Sequence, residues 1–144
     1  MYVAEQVQKT IKRYKTTDPF AICEQRHIDI IYDDLEPDVR GFYQYYKRKN
    51  MIHLNKNMGQ EEQRIVLAHE LGHAIMHQGY NCIFLSRYTY MTKDIYEHQA
   101  NQFAAFLLLP DTVPSDYQDM NYKQLAMLYC VPLEFVEMKW GRRL

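Results

Sequence analysis

The chain has 144 residues, of which 47% are hydrophobic and 24% charged, the make-up of one globular domain and not of a disordered segment. A formal net charge of -1 lacks the basic excess of a dedicated nucleic-acid or membrane-surface binder. Three widely spaced cysteines, Cys23, Cys82 and Cys130, fit neither a disulfide framework nor a cysteine-based zinc knuckle.

The amino-terminal stretch has no apolar core of signal-peptide length. The most apolar run, Phe103 to Leu109, falls far short of the ~20 residues that span a bilayer. A cytoplasmic, soluble protein in a reducing compartment is expected, with no membrane partner.

Residues 2–15 read as a mostly polar helix with Val3, Val7 and Ile11 on one side. Asp18-Pro19 is an N-cap followed by proline at the first helical position, which opens a short helix over 20–26. Residues 27–33 place Ile28, Ile30 and Tyr32 on one face with the period of a strand. Residues 41–46 and 51–54, aromatic and aliphatic, flank 47–50 as the two arms of a hairpin. A long helix is predicted over 61–77, stopped after Gly79 at Tyr80, and residues 80–93 read as irregular. A second helix over 94–109 ends at Pro110, and shorter helices over 122–129 and 133–140 are separated at Val131-Pro132. The order is helices, a small sheet, then helices, an α+β chain of one domain over 1–144, with 116–144 as a closing helical pair.

His69-Glu70-Leu71-Gly72-His73 is an H-E-x-x-H sequence. Residues four apart share a helical face, so both imidazoles can reach one ion. Glu70, rotated about 100° from His69, can hold a water beside that ion without ligating it. From the numbers of His and Glu, about 0.015 such motifs are expected by chance. On a helical wheel the histidines stand off the arc of Ile65, Ala68, Leu71, Gly72, Ile75 and Met76, on the side that could line a cleft. The bland alternative is two surface histidines on an amphipathic helix.

A catalytic zinc needs a third protein ligand and an open position. His77 lies about 12 Å along the axis from His69, too far to share one ion, and reads as a cleft-rim or plain surface residue. Glu97 is the better third ligand, on a helix whose small residues Ala100, Ala104 and Ala105 permit close helix approach. Against this, Asp94-x-x-Glu97 also reads as a capping box, with Glu97 turned back on its own backbone. His98 is a fallback ligand, about 100° away from Glu97.

The chain resembles the ImmA/IrrE-type metallopeptidases through residues 18–23 (DPFAIC), 52–55 (IHLN), 67–73 (LAHELGH) and 97–110 (EHQANQFAAFLLLP), with Gln124-Leu125-Ala126, Val131-Pro132 and Val136 towards the end. The resemblance implies a zincin-like fold, with a small antiparallel or mixed sheet packed on the HExxH helix. It also implies Zn2+ on His69, His73 and Glu97, with Glu70 as general base. The family often has an acidic residue at the position of Gln99, a departure that would matter if position 99 were the ligand. Members similar to this chain are encoded by phages and mobile elements and cleave the element's helix-turn-helix repressor. Some carry a DNA-binding domain that this length does not accommodate, so the repressor would be a separate chain.

An extended substrate could pair with an exposed edge strand over 51–54. His77, Tyr80, Tyr88 and Tyr90 are unranked candidates for the oxyanion donor. Two other functions compete with proteolysis. Residues 122–129 and 133–140 could be a helix-turn-helix, with Arg142-Arg143 adding charge, but Leu133, Phe135 and Val136 would stand where base-reading side chains are wanted; no direct nucleic-acid contact is expected. The other is a zinc-containing regulator that binds a repressor without cutting it.

Overall fold

The computed structural model describes residues 1–78, the backbone of 83–85, and residues 94–141. The α+β organisation expected from the sequence is the one observed. Helix α1 (Tyr2–Tyr14) buries Val3 and Val7, and α2 (Pro19–Gln25) starts where Asp18 accepts a hydrogen bond from Phe20 N at 3.0 Å. Strands β1 (Asp29–Asp33), β2 (Val39–Tyr46) and β3 (Lys49–Asn55) follow, then α3 (Gln60–Met76), β4 (Ile83–Leu85) and α4 (Ile95–Leu108). A 3-10 turn (Ser115–Tyr117) precedes α5 (Tyr122–Tyr129) and α6 (Leu133–Trp140).

The sheet order is β1-β3-β2-β4. β2 and β3 form the expected hairpin, with the turn tightened to Lys47-Arg48, both left-handed at φ 49° and 65°. β1 pairs parallel with β3, Asp29 opposite Met51 through Asp33 opposite Asn55. β3 is therefore interior, and the expectation of an exposed edge strand over 51–54 is corrected. The side chain of His53 shows the same, with Nδ1 2.8 Å from Asp33 on one neighbour and Nε2 2.9 Å from Gln44 on the other.

Residues 80–93 are not wholly irregular either. β4 pairs antiparallel with β2 across an irregularity between Val39 and Gly41. A Cβ on Gly41 would come within 2.5 Å of the His53 carbonyl oxygen, so this close strand approach excludes any side chain there. The strand reading of 27–33 is shortened, because His27 is left-handed at φ 59° and forms a turn; Tyr32 is exposed.

Helix α3 lies between the sheet and α4. Its stretch from Ile65 to Ala74 is buried on every side, whereas the wheel predicts an open cleft side. The reason is tertiary: β2 and β3 cover one flank, α4 the other, and α2 adds Ile22 and Cys23. Arg40 on β2 forms an ion pair with Glu62 on α3.

α1 and α6 pack on α4, and α6 contributes Phe135 and Val136, both fully buried. Burying a side chain of this size contributes roughly 1.5–3 kcal/mol. Phe135 and Val136 thus serve the core where a recognition helix would start. Asn121 and Gln124 form a capping box on α5, and Tyr122 Oη donates to the Trp140 carbonyl at 2.8 Å, tying α5 to α6. Among the described residues no helix is long and apolar enough to cross a membrane.

Candidate metal centre

The four-residue spacing of His69 and His73 on α3 sets their rings edge to face, centroids 5.0 Å apart. α4 crosses close above them because Gly72 leaves room: a Cβ there would stand 3.0 Å from Phe103 Cβ and 3.3 Å from Ala100 Cα. This approach brings Glu97 down onto both rings. Its Oε2 is 2.9 Å from His69 Nε2 and its Oε1 2.9 Å from His73 Nε2.

Asp94 caps α4 by accepting from the Tyr96 and Glu97 backbone N–H groups. The Glu97 carboxylate is turned away from that first turn, and each of its two oxygens faces a histidine. One atom each from His69, His73 and Glu97 lies within 4.8 Å of the others, a set able to hold a metal. His98 is outside this cluster.

The outer nitrogens bear on how the cluster could bind an ion. His69 Nδ1 lies 2.6 Å from Asn101 Oδ1. The amide oxygen only accepts, so the hydrogen sits on Nδ1 and the Nε2 lone pair faces Glu97. A lone pair and a carboxylate oxygen at 2.9 Å repel unless a cation or a proton lies between them. Two imidazole nitrogens and a carboxylate so disposed fit a divalent ion of borderline softness such as zinc. Where a proton instead sits on the Nε2 atoms, burial still raises the Glu97 pKa, but the hydrogen bonds and charges of His69 and His73 outweigh it and pull it down to about 2. Burial keeps His73 below the ordinary imidazole value and so favours its neutral, ligating form.

Glu70 is fully buried, with Oε2 3.8 Å from His69 Nε2, and neither carboxylate oxygen has a hydrogen-bond partner among the described residues. Burial first, then the Glu97 charge, hold its pKa well above the ordinary carboxylate range. A buried carboxyl of raised basicity with no hydrogen bond to hold its proton is a group poised to exchange it.

His77 caps the end of α3 with its Nδ1 3.0 Å from His73 Nδ1, on the far side of that ring from Glu97. It is not a ligand. Gln99 Oε1 faces this histidine, 2.7 Å from His77 Nε2. Gly79, Tyr80, Tyr88, Tyr90, Cys82 and Arg142-Arg143 lie outside the described residues. The sequence reading gave no part to Asn101. Its signal was available: Asn101 lies four residues beyond Glu97 and so shares its helix face.

A family model described as the IrrE N-terminal-like domain (Peptidase_M78) matches residues 23–140. The chain is 39% identical over 135 residues to "Uncharacterized immunity region protein 2" of Bacillus phage phi105, covering 92% of this chain and 85% of that protein. It is 32% identical over 136 residues to "Metallopeptidase ImmA" of Bacillus subtilis (strain 168), covering 90% of this chain and 79% of that protein.

Proposed function

The chain belongs to the ImmA/IrrE metallopeptidase family, and we propose that it is a zinc-dependent endopeptidase that cleaves a separate helix-turn-helix repressor of a phage or mobile element in the cytoplasm. The observation that carries this reading is the convergence of His69, His73 and Glu97 beside a buried Glu70 that has no hydrogen-bond partner among the described residues. The immunity-region name of the phage relative supports the choice of substrate. The whole of 1–144 acts as one metallopeptidase domain, with 116–144 closing it.

His69, His73 and Glu97 would hold the ion. When bound, zinc supplies a Lewis acid that makes water a nucleophile near neutral pH. Glu70 accepts the proton of the attacking water and passes it to the departing amine, a shuttle suited to a carboxyl held above its ordinary range. The substrate backbone pairs with a sheet edge. Among the described residues β4 is the edge strand next to β2, and it takes the role first expected of 51–54.

The test is co-expression with a candidate helix-turn-helix repressor. Wild type should cut it, and Glu70→Gln should bind zinc equally and leave it intact. Relief of repression by an uncut repressor would favour the regulator that binds without cutting, and turnover by Glu70→Gln would overturn the assignment of the base.

A further inference from the structure

His69 has the Asn101 amide oxygen at its outer nitrogen, and the outer nitrogen of His73 has a different partner. That nitrogen, Nδ1, meets the Nδ1 of His77 at 3.0 Å, and the other nitrogen of His77 meets Gln99 Oε1 at 2.7 Å. Only one set of proton positions satisfies this chain while leaving the His73 Nε2 lone pair towards Glu97. Gln99 Oε1 accepts from His77 Nε2–H, so His77 Nδ1 is an acceptor and takes the hydrogen of His73 Nδ1. His77 is held in place for this: it is buried, and its ring packs on Tyr96 with centroids 4.4 Å apart. His73 is 1% exposed, so bulk water has little access to replace the partner.

We propose that His77 and Gln99 form a positioning relay which fixes the tautomer and ring orientation of His73 for metal binding. Neither residue touches the ion or the substrate. Both imidazoles of the centre are then oriented from α4, His69 directly by Asn101 and His73 at one remove by Gln99. An outer partner of this kind raises ligand basicity, and its loss typically costs about 10–100-fold in metal affinity. The relay rests on the proposed zinc site, whose failure has a separate signature.

The experiment is zinc affinity by competition with a chromophoric chelator, on the whole chain, for wild type, Gln99→Met, Gln99→Glu and His77→Ala. Thermal unfolding of each zinc-free form checks folding. Gln99→Met and His77→Ala should bind about 10–100-fold more weakly. Gln99→Glu should bind as tightly as wild type or more tightly, because an ionised carboxylate can only accept from His77 Nε2–H. If His77→Ala does not fold, the two substitutions of half-buried Gln99 decide alone.

In zinc-loaded wild type, NMR should show a 15N–15N coupling across the hydrogen bond between the two rings, a signature that mere packing would not produce. Equal affinities throughout, or an equal loss in Gln99→Met and Gln99→Glu, or no coupling, would overturn the relay and leave the zinc site standing. Wild type that binds no zinc would overturn both.

Discussion

Glu70 is buried with neither carboxylate oxygen hydrogen-bonded among the described residues, an arrangement that works against folding. Its pKa is raised in the folded chain, burial being the main cause. The folded state therefore holds this proton more tightly than the unfolded state does. The resulting stability is fully present below the ordinary carboxylate pKa and is lost as pH rises towards the raised value. Replacing Glu70 by Gln removes the ionisation. In zinc-free protein the melting temperature of Glu70→Gln relative to wild type should climb as the pH rises above the ordinary carboxylate range. A difference independent of pH would count against the buried carboxylate.

Helix contact, not helix formation, governs the second tier. α3 and α4 form from local signals, but their separation depends on Gly72, where a Cβ would press within 3.0 Å of Phe103 Cβ. Gly72→Ala gains about 1 kcal/mol of helix propensity and sets it against an overpacking cost of about 1–3 kcal/mol. The expected outcome is a modest net loss in denaturant unfolding, with weaker zinc binding because Glu97 is lifted from both rings. The β2–β3 turn offers the opposite case. Lys47 and Arg48 both have positive φ, the backbone of a two-residue turn that favours Asn-Gly. The double substitution Lys47→Asn, Arg48→Gly should stabilise by about 1 kcal/mol, read as a higher urea midpoint with the slope unchanged.

At the scale of the molecule, the proposed zinc joins α3 to α4, whose ligands are separated by at least 24 residues. Ligand that binds only the folded chain stabilises it by about 2.7 kcal/mol at a hundredfold excess over its dissociation constant. Adding zinc to chelator-treated protein should then raise the melting temperature by roughly 10 °C. No shift would argue against a metal centre built across the two helices. The α5–α6 pair belongs to the same core, since Leu125, Phe135 and Val136 are each at most 1% exposed. Lys139 bonds Phe106 O and Asp111, and Trp140 Nε1 donates to Pro110 O, fastening the pair to the end of α4.

What could be read from residues alone was what depends on neighbours in the chain. The caps at Asp18 and Asp94, the ends of α5 and α6, and the shared face of His69 and His73 all follow from separations of four residues or fewer. The zincin-like α+β class was legible through periodicity and the resemblance of the motifs. Tertiary structure decided the rest. Whether Glu97 caps its own helix or faces the histidines depends on how closely α4 crosses α3, a distance set by Gly72 against Phe103. β3 became interior because β1 pairs with it across more than twenty residues, a register that no local pattern encodes. The histidines, expected along a cleft, are buried because a helix wheel describes one helix and not the two layers that cover it.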